Sequence, residues 1–245
     1  MDNTNLLQPR QGALDNPRLE FCEGQYRFVM TNAEGGLVER FVSDAAVREA
    51  FAGIPVDSGW FNNDASSPVV CRWGDGRAGQ WAVLYVPPGV HELEITNDGS
   101  GRAFEARKYF TPLPALAFFG MGTNYYAFAM KTTRLDPYQE LYRCPLPNVY
   151  QNGEVCWGLL KPPRATGRTI FDAWSLFIRS TFNNHMAGAK SKRSREDVRA
   201  VLLEAARGPG VAHYPVGDLV RQVEDGGMTL DRAVREFFEK GGMPG

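Results

Sequence analysis

The sequence has few of the residues that build metal sites and disulfide frameworks. It contains three histidines, and none lies at a ligand spacing from a cysteine, aspartate or glutamate, which argues against a zinc enzyme. Its four cysteines are far apart, without a Cys-x-x-Cys pair, and a chain of 245 residues does not need disulfide bonds to fold. We therefore predict reduced cysteines and no metal site.

Neither sign of charge dominates, and no long apolar run occurs. Lys and Arg number 27 against 28 Asp and Glu, so we predict no basic face for nucleic acid or anionic lipid. The first residues lack the basic and then apolar pattern of a signal peptide. No window approaches the roughly 18 apolar residues of a membrane span. These absences favour a cytoplasmic protein.

What the sequence has is the composition of a globular protein, with 43% hydrophobic and 22% charged residues. Strand patterns occur at residues 26–30, 37–42, 69–73, 81–86, 91–95, 115–119 and 125–130. Turns rich in glycine and asparagine join most of them, as in hairpins, which predicts an antiparallel meander. Ser43 or Asp44 can cap a short helix that contains Val47.

After residue 165 the apolar period changes from two residues to 3.6. The first apolar stripe has the spacing of a helix packed on a sheet. It consists of Ile170, Ala173, Trp174, Phe177 and Ile178. Two further stripes predict helices. The first follows a capping sequence at 194–197 and consists of Val198, Val201, Leu202 and Ala205. The second consists of Leu230, Ala233, Val234, Phe237 and Phe238. Strands followed by helices predict an α+β fold.

Two features between these helices are interpreted as surface features. Lys190-Ser-Lys-Arg-Ser-Arg195 is a basic run, which predicts a solvated linker or, as the alternative, a contact for an acidic partner. His185 follows two asparagines near the end of the first helix. We predict a surface position for it, with a place near an active site as the alternative.

The segment at residues 144–160 carries the candidate chemistry. Two prolines, Asn148 and an Asn152-Gly153 turn make it a poor helix or long strand, so we predict an ordered loop that turns back on itself. Cys156 lies just past that turn, where a loop gives access. A thiol reacts as the thiolate, and an ordinary pKa of about 8.5 leaves a few per cent of it near neutral pH. The other three cysteines are interpreted as small buried hydrophobes.

The same segment resembles a known family. Pro-Asn-Val-Tyr-x-Asn-Gly-x-Val-Cys at residues 147–156 is similar to the active-site segment of ubiquitin-conjugating enzymes, in which His-Pro-Asn stands eight positions before the catalytic cysteine. Residues 111–118 resemble the Pro-rich turn before that site, and Thr169 resembles the start of the helix after it. Pro-Leu-Pro-Asn-Val-Tyr with Val-Cys-Trp-Gly resembles the prokaryotic branch that includes protein B of the PRTRC system. The resemblance covers roughly residues 105–185.

The resemblance implies a fold and an activity. The implied fold is a ubiquitin-conjugating-type core at 101–190, with an α/β hairpin-rich region at 1–100 and a helical appendage at 191–245. Cys156 would take the C-terminal carbonyl of a ubiquitin-like modifier from an activating enzyme as a thioester, and pass it to a nucleophile on an unidentified target. No cofactor is implied, because ATP belongs to the activating enzyme. Plasmid maintenance or antiphage defence is the implied biological setting.

The resemblance also implies roles for residues around Cys156. The amide of Asn148 would stabilise an oxyanion, an interaction worth about 2.7–4 kcal/mol, or brace the loop, and a plain turn residue is the alternative. Tyr150, Asn152 and Trp157 are predicted to contact the substrate. For Asn152 the alternative is turn chemistry, and for Trp157 it is packing. The sequence departs from the family at Leu146, where eukaryotic members have His, so the loop must be braced differently.

Two other functions compete with conjugation. A binding module of the same fold would dock a ubiquitin-like protein without charging it, and the retained Cys156 and Asn148 argue against that. A cysteine hydrolase needs a His base beside the thiol, and no histidine lies within 25 residues of Cys156.

Overall fold

The computed structural model describes residues 17–32, 34–51, 56–61, 66–76, 79–97, 105–207, 213–222 and 227–240. The chain divides into two compact units, residues 1–54 and residues 55–245. The predicted boundaries at residues 100 and 190 stay a prediction.

The smaller unit is a three-stranded antiparallel sheet followed by a helix. Its elements are β1 (Arg18–Cys22), β2 (Gln25–Thr31), β3 (Leu37–Val42) and α1 (Asp44–Phe51), with the strands in the order β1-β2-β3. The Asn32 side chain closes the β2–β3 turn by accepting hydrogen bonds from the backbone N–H groups of Glu34 and Gly36. Ser43 caps α1, because its Oγ accepts from the N–H of Ala46 at 3.2 Å. Both features follow the sequence prediction.

The larger unit contains two sheets. Its strands are β4 (Val56–Asp57), β5 (Val69–Gly76), β6 (Gly79–Val86), β7 (Gly89–Asn97), β8 (Glu105–Leu113), β9 (Ala115–Met121), β10 (Asn124–Met130), β11 (Tyr142–Arg143) and β12 (Thr181–Phe182). One sheet has the antiparallel order β11-β10-β9-β6-β5-β4, and the other has the order β12-β7-β8. The chain therefore leaves the first sheet after β6, forms the β7–β8 hairpin, and returns at Pro114. Hairpin patterns alone do not say which sheet a hairpin joins.

Helices lie on both faces of the larger sheet and against the smaller one. They are α2 (Ile170–Ile178), α3 (Arg199–Arg207) and α4 (Leu230–Lys240), with a 3-10 turn at Val216–Asp218. Helices α2 and α4 pack on the larger sheet, and α3 packs against β8 of the smaller sheet. Successive residues of β6, β9 and β10 fall alternately into two buried clusters, because side chains along a strand alternate between its faces. Phe118 packs on Trp174 and Phe177 of α2, while its neighbour Phe119 packs on Phe237 of α4.

The predicted helical stripes are buried. All five apolar residues predicted for α2 are core residues, as are Val198, Val201, Leu202, Ala205, Leu230, Ala233, Val234 and Phe237. The side chain of Phe238 lies outside the described residues. The chain is thus a mixed α+β protein with mostly antiparallel sheets. Within the described residues, no helix is both long and apolar enough to cross a membrane.

Candidate active site

The loop at residues 144–156, called here the cysteine loop, is fastened along β10. Val155 donates its N–H to the carbonyl of Tyr125, and the carbonyl of Gly153 accepts from the N–H of Ala127, both at 2.8 Å. The two arms of the loop also pair with each other, and the N–H of Cys156 donates to the carbonyl of Asn148 at 2.9 Å. The eight-position spacing therefore has a structural cause: it places Asn148 and Cys156 opposite each other across a tight turn.

The Asn152-Gly153 turn sets that geometry. Asn152 uses its side-chain Oδ1 to accept from the N–H of Glu154 at 3.0 Å. Gly153 has φ +92°, and a Cβ there would lie 2.1 Å from the ring of Phe128, so only glycine fits. The contacts of Asn152 favour the turn interpretation over substrate contact.

Asn148 connects the cysteine loop to the segment after α2. Its Nδ2 donates to the Oγ of Ser180 at 3.2 Å and to the carbonyl of Thr181 at 3.0 Å. A side-chain amide has two N–H groups, and both are used by these contacts. The arrangement favours bracing of the loop over a direct role of this amide at an oxyanion.

On the side of the cysteine loop that faces the core, the buried ammonium group of Lys190 lies beside the apolar side chain of Leu146. Leu146 is fully buried, where eukaryotic relatives of the resembled family have His. Lys190 is 1% exposed, and its Nζ donates to the carbonyls of Leu146 at 2.5 Å and Pro147 at 3.1 Å and to that of Val149. The prediction of a solvated linker is therefore wrong for Lys190, and also for Ser191, which is buried beside it. Sequence reasoning missed this residue, since a lysine in a basic run gives no signal of burial.

Tyr150 is the side chain that contacts the thiol. The negative charge of a Cys156 thiolate, and then the hydrogen bond between the two side chains, raise the pKa of the Tyr150 phenol. The phenol thus keeps its proton and donates it toward sulfur. Tyr150 is 45% exposed, so this pair lies at the surface. The contact places Tyr150 directly at the candidate nucleophile.

Cys156 opens onto a groove of ≈ 850 Å³, called here the cysteine groove. Its walls are the end of the cysteine loop, one face of α2 and the segment after α2. They comprise Asn148, Cys156, Trp157, Gly158, Leu159, Leu160, Asp172, Ser175, Leu176, Arg179, Ser180, Thr181, Asn183, His185 and Met186. Asn148, Cys156 and Trp157 from the sequence prediction meet here, while Tyr150 and Asn152 do not line the groove. His185 is exposed, as predicted for a surface position, and it also lines the groove, as the alternative interpretation expects.

The side of the groove that α2 forms was not predicted, although its residues have a recognisable spacing in the sequence. Asp172, Ser175, Leu176 and Arg179 follow one another at the spacing of a second helical face, opposite the buried stripe. The sequence pattern alone identifies the exposed face of a helix. This face belongs to a site because the cysteine loop lies beside it in the structure.

Trp157 packs on the core and also borders the groove, while its predicted contact with a substrate stays a prediction. Its ring packs edge-on to Tyr125 and Phe177, with centroids 5.4 and 6.1 Å apart, and it also lines the groove. Its buried indole N–H has no acceptor among the described residues. The chain then turns at Gly158, with φ +56°, and presents Leu159 fully exposed.

The other cysteines of the larger unit are held as thiols. Burial raises the pKa of Cys71 to about 12 and that of Cys144 to about 11. Cys71 donates its S–H to the carbonyl of Val83 at 3.4 Å. Cys156 is the cysteine of this unit that reaches a groove. Across the part of the chain that the structure describes, no group of three His, Cys, Asp or Glu side chains could hold a metal ion.

A comparison with protein families identifies a relative for most of the larger unit. A model of prokaryotic E2 family D matches residues 58–222, which is more than half of the chain. The match extends beyond residues 105–185 on both sides, so the sequence resemblance underestimated its extent. It includes β5 to β8 and α3 as well as the cysteine loop. No curated protein and no solved structure matches the chain significantly.

Proposed function

The chain belongs to prokaryotic E2 family D, and we propose that it is a conjugating enzyme that carries a ubiquitin-like modifier as a thioester on Cys156. The family supports a conjugation-like role, with a modifier and an activating enzyme as general partners. The observation that carries the finer proposal is the position of Cys156, which opens onto a groove at the end of a loop fastened on both sides.

Loading is a thioester exchange. The Cys156 thiolate attacks the C-terminal carbonyl carbon of the modifier, a new C–S bond forms, and the thiolate of the activating enzyme leaves. Tyr150 is proposed to support this step, because its hydroxyl can donate a hydrogen bond to the attacking sulfur of Cys156. This exchange needs no oxidant, metal or organic cofactor.

The cysteine groove is proposed to hold the extended C-terminal tail of the modifier. Ser175, Ser180 and Thr181 offer hydroxyl and backbone groups along its wall, and Leu176 and Met186 offer apolar contacts. A tail held beside Cys156 keeps its carbonyl within reach of sulfur, which gives the proximity that acyl transfer needs.

Discharge requires a group that accepts a proton from the incoming nucleophile. When an amine attacks, the N–C bond forms, the C–S bond breaks and Cys156 leaves as a thiolate, while the amine loses a proton. Asp172 and His185 line the same groove and are of the right chemical kind to take that proton. We assign the role of proton acceptor to this pair of positions.

The position of His185 also favours a second candidate, a cysteine hydrolase. The objection from sequence was that no histidine lies near Cys156, and His185 lines the groove with it. In this reaction water instead of an amine would attack the thioester or acyl-enzyme.

One experiment separates these functions. The protein is incubated with a candidate ubiquitin-like modifier, its activating enzyme and ATP, and the mixture is run on a gel without reductant. We expect an adduct that dithiothreitol removes and that Cys156→Ala abolishes, with Cys22→Ala as the matched control that keeps it. Cys156→Ser should give an oxyester that dithiothreitol does not cleave. A stable complex without an adduct would favour a binding module, and cleavage of conjugates through Cys156 would favour the hydrolase.

A further inference from the structure

Lys190 is buried next to Leu146, where the cysteine loop has no polar side chain of its own. It is 1% exposed, and its Nζ donates to the carbonyls of Leu146, Pro147 and Val149. An ammonium group has three N–H donors, so each of them is used on the loop. These carbonyls flank Asn148, whose own carbonyl accepts the N–H of Cys156.

No carboxylate among the described residues forms an ion pair with Lys190. The titratable groups that face it are Cys144 and Arg143. Arg143 is another cation and donates to the carbonyl of Ala189 at 2.9 Å. Since burying a charge is costly unless it is compensated, the loop carbonyls are the groups that compensate it here. Burial lowers the pKa of Lys190 to about 8.

We propose that Lys190 is the positioning residue of this enzyme: its ammonium group holds the cysteine loop from the buried side and so positions Cys156. The inference rests on the proposed function, because it takes Cys156 as the reacting thiol. Lys190 does not touch the thiol, and acts through the backbone of residues 146–149.

The number of donors explains why an ammonium group suits this position. It has three N–H groups, one for each of the carbonyls of Leu146, Pro147 and Val149. A side chain without donors would leave these carbonyls unsatisfied in a buried place, where an unsatisfied acceptor is unfavourable.

The lowered pKa of Lys190 also makes stability depend on pH. Between a pH of about 8 and the ordinary pKa of 10.5, the unfolded chain keeps the Lys190 proton and the folded chain has lost it. Because the unfolded state then binds more protons, this group makes the free energy of unfolding rise with pH. An opening of the loop that lets water reach Lys190 has the same sign, so the positioning role is tested at a single pH.

Hydrogen exchange of the cysteine loop tests the inference without any partner protein. Deuterium uptake of peptides spanning 144–156 is measured at pH 7 for the wild type, Lys190→Met, Lys190→Arg and Lys192→Met. Lys192 is the matched control, because it is an exposed lysine that donates to the carbonyl of Gly217. Urea unfolding of each protein at the same pH gives the global stability.

At pH 7 we expect the wild type to protect the loop about tenfold more than Lys190→Met, the effect of losing a charged hydrogen bond. Peptides of α4 should keep their wild-type protection in Lys190→Met, and Lys192→Met should follow the wild type throughout. Lys190→Arg, which keeps a charged donor, should keep most of the loop protection. If Lys190→Met does not fold, Lys190→Gln, which keeps two N–H donors, replaces it and should show an intermediate loss. Wild-type protection of the loop without the lysine, or a loss shared equally by all peptides, overturns the proposal.

Thioester loading provides the second readout. If Cys156 is the reacting thiol, Lys190→Met should slow loading about tenfold at pH 7, and Lys190→Arg should restore most of the rate. If Lys190→Met loosens the loop but the wild type shows no loading, the proposed function fails and the structural role of Lys190 stands. If loading is unaffected by Lys190→Met, the positioning role fails and the proposed function stands.

Discussion

The two ends of the cysteine loop carry chemically identical side chains in opposite surroundings. Cys144 at its start is 1% exposed, and burial raises its pKa to about 11. Cys156 at its end is partly exposed, opens onto the groove and contacts Tyr150. The comparison indicates that the reactivity of a thiol on this loop depends on whether it faces the buried core or the groove. Changing the surroundings of each cysteine tests this conclusion.

The largest expected effect is the difference between the two thiols themselves. At pH 7.5 a thiol with a pKa of about 11 is ionised in fewer than about one molecule in a thousand, and burial also blocks the reagent. We expect iodoacetamide to alkylate Cys156 at least about a hundredfold faster than Cys144 in the folded protein. Mass spectrometry of peptides from a timed reaction measures both rates. In urea the two rates should become similar, and equal rates in the folded state would contradict the comparison.

Gly153→Ala should have the next largest effect, because it breaks the turn that brings Cys156 back beside Asn148. The backbone has φ +92° and the new methyl group would meet the ring of Phe128. We expect a loss of at least about 2 kcal/mol in the free energy of unfolding, measured by urea titration. Gly217→Ala is the control, since nothing lies within 4 Å of its added methyl group. If Gly153→Ala were as stable as the wild type, the conformation of this turn would not require glycine.

Tyr150→Phe should have a moderate effect confined to Cys156. The substitution removes the hydroxyl that donates to the thiolate, and an exposed side chain contributes little to stability. Alkylation of Cys156 at pH 7 should slow about threefold to tenfold, with the urea midpoint unchanged. Tyr138→Phe, at another exposed tyrosine, should leave the rate unchanged. A faster Tyr150→Phe reaction would show that Tyr150 shields the thiol instead of activating it.

The same comparison shows what the sequence could and could not predict. The turn at Asn152-Gly153 and the buried stripe of α2 were predicted because both are local patterns of turn chemistry and helical period. The buried position of Lys190 was not, since it depends on carbonyls that lie more than 40 residues earlier in the chain. The second sheet also depends on distant pairing, with β12 parallel to β7. Such partners have no local signature.

Asn148→Ala should have the smallest effect, and it separates two chemical roles by using two reactions of Cys156. Alkylation by iodoacetamide passes through no oxyanion, whereas thioester loading does. If Asn148 braces the loop through Ser180 and Thr181, both reactions should slow alike, by about fivefold. An oxyanion donor would instead slow loading by about a hundredfold to a thousandfold and leave alkylation unchanged. Because both amide N–H groups already have acceptors, we expect the parallel loss, measured as the ratio of the two rates in wild type and variant.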